Sequence, residues 1–328
     1  MKIGVIGSGS WGTALVKILT DNGHEVTWCV RNEKLAHHIS KRRHNPKYLS
    51  SVYFSTDQLE LTTASSEVFK KADAIVFAVP SAFLLDYVQA DLSLIDSNKT
   101  IVSAVKGMLT DENQLFNHWM KKNGLNEKQY VALMGPSHAE EVAAEKLSYL
   151  TFAGLDAKLT EEIAHAFKTP FVNTVLSNDV DGVQYAAVMK NIYALGAGIA
   201  NGLGYGDNFQ SVFIANAAGE MKKILQTIAP NDSVNYAASV YLGDLLVTCY
   251  SLFSRNRAFG NMVGKGYSVE AAKLSMQMVA EGYPASKAIH RINQQISVNI
   301  PIASAVYQIL WESRDPLEAF EKLESILF

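Results

Sequence analysis

KIGVIGSGSWGTALVKILTDNGHEVTWCV, residues 2–30, decides the fold. It opens on a short β-branched run (KIGVIG, 2–7) and passes through Gly7, Gly9 and Gly12. It then enters a segment whose Ala14, Leu15, Ile18 and Leu19 share one helical face, stops at Gly23, and ends in a second run, EVTWCV (25–30). Runs that are apolar throughout, rather than alternating, suit parallel strands covered on both faces. Strand, helix and strand in succession predict a right-handed βαβ unit of an open α/β sheet. The spacing G-x-G-x-x-G is weak alone, but here it directly follows a strand and opens an amphipathic helix, the context that gives it meaning. Gly7 permits the tight turn, Gly9 lets a pyrophosphate approach the backbone, and Gly12 lets helix and strand pack closely. The helix then offers free N–H groups and a partial positive charge to phosphates. The stretch predicts a dinucleotide site.

At the end of the second strand, an NAD-selective site usually carries an acid for the ribose hydroxyls. This chain has Arg31-Asn32 instead. A guanidinium there can face a 2′-phosphate, so NADPH is expected to be accepted, with NAD(H) the other candidate. The alternative is an exposed Arg31 with no selective role.

Further apolar runs follow: AIVFAV (74–79), TIVSAV (100–105), VALMG (131–135), and the weaker YLTFAG (149–154) and FVNTVL (171–176). From about residue 181 strand-like runs give way to Ala-, Gly- and Met-rich segments at helical spacing, broken near 201–207, 230–232 and 264–268. The expected fold is α/β: an N-terminal Rossmann-type doubly wound sheet over 1–180, and a C-terminal all-α substrate domain over 181–328. A chain of 328 residues with 48% hydrophobic content supports two such domains. A formal charge of −3 gives no global field for nucleic acid or an anionic membrane. The short basic cluster KRRHNPKY (41–48) reads as a solvated face. Cys29 and Cys249 lie far apart in apolar patterns, as buried thiols of a reducing compartment would. The chain enters a strand at once and its charge-free run 191–206 is too short to span a bilayer, so it reads as soluble and cytoplasmic.

Ligands of open α/β sheets bind beyond the C-terminal strand ends. Pro80-Ser81, Lys106-Gly107 and Gly135 to Glu141 fall there. Lys106, directly after an apolar run, is placed to reach a ligand; Ser137 follows Gly-Pro in a turn and could donate its hydroxyl. His138 has no Ser or Cys nucleophile to form a triad with, and the histidines lack metal-ligand spacing. In the second half, Lys190 sits among Ala186, Ala187, Tyr193, Ala194 and Ala197, and Asp244 also breaks an apolar helical run. A buried base and acid are best accommodated facing each other or a shared ligand. Ser254 to Arg257 (SRNR) gather hydroxyl, guanidinium and amide donors, which suits a phosphate or a solvated loop equally. Glu281, before Gly282, could meet cofactor hydroxyls.

The blocks GVIGSGSWGTAL, AVKGM, GPSHAEEVA, VMKNIYALGAGIANGLGYGDN, GDLLVTC with SRNRAFG, and AEGYPASK occur in that order over nearly the whole chain. Together they resemble the bacterial NAD(P)-dependent glycerol-3-phosphate dehydrogenases. The departures are Ala285-Ser286, where the family often has Thr, and NPKYLSS, which lacks a proline after Tyr-Leu. The resemblance implies reversible reduction of dihydroxyacetone phosphate to sn-glycerol 3-phosphate, the backbone precursor of phospholipids. It implies Lys190 as the proton-transferring residue, with Lys106 and Asp244 beside it. Ser137, Ser254, Arg255 and Asn256 are implied substrate contacts, and Gly135 a contact shared by substrate and cofactor. Ser10, Trp11, Arg31, Lys106, Ala139, Arg255, Val279 and Glu281 are implied cofactor contacts. Desolvation and Lys106 are expected to lower the pKa of Lys190 from its reference near about 10.4. Small-residue helices fit a homodimer. Two alternatives stay open on the residues: a β-hydroxyacid or 6-phosphogluconate-type dehydrogenase of the same architecture, and a non-catalytic redox sensor.

Overall fold

The computed structural model describes residues 1–96, 98–109, 112–276 and 279–328. Two compact units emerge: residues 1–105 with 116–180, and residues 106–115 with 181–328. The segment 106–115, although it follows the fifth strand, groups with the second unit.

The first unit is built on one eight-stranded sheet: β1 (Ile3–Ile6), β2 (Val26–Cys29), β3 (Leu59–Thr62), β4 (Ala74–Phe77), β5 (Thr100–Ser103), β6 (Tyr130–Met134), β7 (Ser148–Gly154) and β8 (Val172–Ser177). Their order is β3-β2-β1-β4-β5-β6-β7-β8, and only the β6–β7 pair is antiparallel. The chain reverses its direction of winding between β1 and β4, the switch point at which such sheets bind ligands. All four residues of β1, β2 and β4 are buried, in keeping with strands covered on both faces. The helix Ser10–Asp21 supplies Ala14, Leu15, Val16, Ile18 and Leu19 to a core shared with Ile3, Val5, Trp28 and Val76. Gly23 then turns the chain at φ +80°. β3 has no counterpart among the apolar runs of the sequence. Its LELT is only half-buried because it forms the sheet edge.

The second unit is helical. Its axis is the helix Val180–Leu203, followed by Asp207–Ile228, a π-helical turn Ser239–Gly243 running into Asp244–Tyr250, Arg255–Gly264, Val269–Ser275, Gly282–Ile296, Pro301–Trp311 and Pro316–Glu324. Two of these helices meet backbone to backbone. A Cβ on Gly260 would strike the Leu195 carbonyl, one on Gly198 the Arg257 carbonyl, and one on Gly264 the Ile199 carbonyl. Glycines on both partners bring Arg255–Gly264 against the face of Val180–Leu203 that carries Leu195, Gly198, Ile199 and Gly202. Buried Glu220 accepts the N–H groups of Ile302 (2.6 Å) and Ala303 (3.2 Å), closing the N-terminus of Pro301–Trp311. No helix among the described residues is long and apolar enough to cross a membrane.

Candidate active site

In the first unit the glycine loop has the form a pyrophosphate requires. Gly7 sits at φ +122°, where a side chain would meet the Ala78 carbonyl. A Cβ on Gly12 would strike the Gly7 carbonyl, so helix and strand could not close on each other with any larger residue. Gly9, the N-cap of Ser10–Asp21, has no side-chain cap, and a Cβ there would meet nothing within 4 Å. Open space over an uncapped helix N-terminus is a cradle for an anion, and the residues present fit a dinucleotide phosphate. Ser10 is buried and Trp11 half-buried in the first turn of this helix. Arg31 is exposed just past β2, its N–H 3.3 Å from Ser8 Oγ. Asn32 caps the next helix through Leu35 N at 2.9 Å, and Glu33, the nearest acid in sequence, is held by Thr63. Beyond β6, Gly135 adopts φ +113°, Ser137 donates to the Gly135 carbonyl at 3.1 Å, and Ala139 is buried at the start of a short helix.

In the second unit Lys190 and Asp244 form an ion pair with side chains 5% and 2% exposed. The second carboxylate oxygen, Asp244 Oδ2, is buried with no hydrogen-bond partner among the described residues. The π-helical turn before Asp244 sets its phase, and Thr248 Oγ1 bonds back to the Asp244 carbonyl at 2.5 Å. Lys106 lies against the pair. Burial first, then the neighbouring Lys190, lower its amine to about 7, with Asp244 opposing and Arg255 adding to the fall. Three cations and one carboxylate gather here, a surplus that suits an anionic substrate. Cys249, buried nearby, is pushed up to about 12, which rules it out as a thiolate nucleophile at neutral pH.

The SRNR stretch is the N-terminus of Arg255–Gly264. Ser254 caps it, accepting from Arg257 N at 3.3 Å, Arg255 is exposed, and Asn256 is buried. Asn256 is held on both ends: its Nδ2 donates to Asn191 Oδ1 (2.8 Å) and its Oδ1 accepts Gly282 N (2.9 Å). Asn191 in turn donates to the Lys106 carbonyl at 2.9 Å. The chain of amides ties Lys106, Asn256 and the segment carrying Glu281 together; Val279, two residues earlier, is exposed. Asn191 was not singled out from sequence. Its signal was a second polar residue directly after Lys190 in a run that is otherwise buried. The reading of residues 41–48 as a solvated face needs correcting at Asn45. Lys41, Arg42, Arg43 and Lys47 are exposed, but Asn45 is wholly buried.

Two family models cover the chain: NAD-dependent glycerol-3-phosphate dehydrogenase N-terminus over residues 2–160 and the C-terminus of the same family over 179–321. A glycerol-3-phosphate dehydrogenase [NAD(P)+] of Thermoanaerobacter sp. is 34% identical over 98% of this chain and 96% of its own length. The enzyme of the same name from Bacillus velezensis is 35% identical over 98% and 93%. The crystal structure of glycerol-3-phosphate dehydrogenase from Coxiella burnetii superposes with a TM-score of 0.91 at 26% identity, covering 98% of both chains. The chain belongs to the NAD-dependent glycerol-3-phosphate dehydrogenase family.

Proposed function

We infer that the chain interconverts dihydroxyacetone phosphate and sn-glycerol 3-phosphate with NADP(H) or NAD(H), an oxidoreductase acting on a CH-OH group. The observation that carries the chemistry is the buried Lys190–Asp244 pair with Lys106 against it. A bound nicotinamide supplies or accepts the hydride. As the ketone carbon is reduced, negative charge builds on its oxygen. The Lys190 ammonium stabilises that oxygen and donates the proton that completes the alcohol; in the oxidising direction the neutral amine takes it back. Asp244 orients the amine and balances its charge. Lys106 adds positive charge when protonated, and at about 7 it can hold or release a proton near neutral pH. The uncapped Ser10–Asp21 helix and Ser10, Trp11 and Gly9 serve the pyrophosphate, while Arg31 serves the adenosine end. Arg255 and the helix N-terminus beginning at Ser254 grip the substrate phosphate, with Ser137 and Asn256 as further contacts. Gly135, Ala139, Val279 and Glu281 complete the cofactor's surroundings.

We read the protein as a cytoplasmic homodimer that contributes to phospholipid synthesis. Gly198, Gly260 and Gly264 of the small-residue helices pack within the second unit. Exposed Leu252 and Phe253 beside the Arg255 helix support the dimer; light scattering on the purified chain tests it.

The enzyme assay is steady-state oxidation of NADPH or NADH with dihydroxyacetone phosphate, run beside a panel of β-keto acids and their sugar-acid relatives. Turnover on the keto acids alone would favour the rival dehydrogenase, and no turnover at all would favour a sensor. Arg255→Ala should raise KM for the phosphorylated substrate far more than it alters turnover of dihydroxyacetone. Arg31→Asp should shift the NADPH/NADH ratio of kcat/KM towards NADH by on the order of tenfold; an unchanged ratio removes Arg31 from cofactor choice.

A further inference from the structure

Three successive carbonyls of the glycine loop are each held by a different side chain. Trp28 Nε1 donates to the Gly7 carbonyl at 2.9 Å, Asn45 Nδ2 to the Ser8 carbonyl at 3.2 Å, and Thr13 Oγ1 to the Gly9 carbonyl at 2.8 Å. Trp28, Asn45 and Thr13 are all fully buried. Asn45 also donates to Thr13 Oγ1 at 2.9 Å, and its Oδ1 accepts the N–H groups of Lys47 (3.1 Å) and Tyr48 (3.3 Å). Every donor and acceptor of this amide is in use.

A trans peptide is planar, with its C=O and N–H pointing in opposite directions, and no cis bond occurs among the described residues. Fixing the oxygens of residues 7, 8 and 9 on the core side therefore aims the N–H groups of Ser8, Gly9 and Ser10 the other way. That way is outward, over the glycine whose added Cβ would meet only open space. Without anchors, a glycine-rich turn can rotate its peptide planes at small cost, because glycine has wide φ/ψ freedom.

We propose that Asn45, with Thr13 and Trp28, is a positioning residue for the dinucleotide: it holds the loop's peptide planes so that three successive N–H groups face the pyrophosphate. Asn45 touches no ligand in this role. It clamps the Ser8 carbonyl directly and the Gly9 carbonyl through Thr13, and ties the 45–48 turn to the same loop. The inference rests on the reading of this loop as the NAD(P) site.

The test is equilibrium binding of NADPH without substrate, followed by nucleotide fluorescence, on the parent and on Asn45→Ala, Thr13→Val and Thr13→Ser. Alongside go kcat at saturating NADPH and melting of the free protein. The expected result is a Kd for NADPH raised by on the order of tenfold in Asn45→Ala and Thr13→Val. Thr13→Ser, which keeps the hydroxyl, should bind like the parent, and kcat at saturation should stay within about threefold in all variants. Should Asn45→Ala not fold, the Thr13 pair decides. Folded variants that bind NADPH as the parent does, or a serine variant as weak as the valine one, would overturn the proposal. A parent that binds neither NADPH nor NADH would instead overturn the cofactor reading itself.

Discussion

Asp244→Asn replaces a buried carboxylate with an amide of the same shape and leaves Lys190 and Lys106 with no anion on this side chain. Breaking a buried ion pair by removing one partner costs about 3–5 kcal/mol when the remaining charge stays buried. The cost here should fall at the lower end, because an amine in this cluster can shed its proton instead of bearing the full penalty. The second unit contains roughly 160 residues. At about 2–4 °C per kcal/mol for a unit of that size, a cost of about 3 kcal/mol should lower the melting temperature at pH 7 by roughly 6–12 °C. The gap between variant and parent should narrow at pH 9.5, where Lys106 is already neutral and less positive charge awaits a partner. Calorimetry or circular dichroism melts at the two pH values read this directly. A variant that melts within about 1 °C of the parent at pH 7, or whose deficit grows at pH 9.5, would refute the reasoning.

Lys106 titrates near 7 in the folded chain and near 10.5 when exposed, so between those values the folded form holds fewer protons than the unfolded one. Its share of stability therefore rises with pH from about 7 to about 10.5 and is lowest below 7, and Lys106→Met should flatten that rise in melts taken across the window. Dihydroxyacetone phosphate, being anionic, should restore the proton on Lys106, so binding at pH 8 should take up protons when calorimetry is compared in buffers of different ionisation enthalpy; proton release would contradict it. Gly260→Ala should destabilise by about 1–3 kcal/mol because its Cβ meets the Leu195 carbonyl. Gly219→Ala, in the exposed middle of Asp207–Ile228 with nothing within 4 Å, should instead gain about 0.5–1 kcal/mol. Denaturant titrations that rank the two glycines the other way would sink the packing argument.

Much of the architecture was legible because burial writes itself as hydropathy. β1, β2 and β4 are apolar runs because both their faces are covered, and Gly7 and Gly12 are visible because only glycine allows the contacts made there. β3 was illegible for the opposite reason: an edge strand with half-exposed Glu60 and Thr62 has no pattern to distinguish it from a loop. Lys190 and Asp244 stood out as charges in apolar helices, and the structure pairs them. Asn45 did not stand out. Its four hydrogen bonds, not its polarity, decide its burial, and the basic residues around it hid it. Asn191 escaped in the same way, because an amide that bridges Lys106 to Asn256 can be recognised only once those distant segments are brought together.

Proton delivery by one buried ammonium is the claim on which the chemistry turns, and Lys190→Ala measures it most directly. With NADPH saturating and dihydroxyacetone phosphate as substrate, kcat should fall by on the order of a hundredfold or more while the Kd for NADPH, measured separately, stays within about twofold. Turnover near the parent rate in a variant that still binds cofactor would contradict the account.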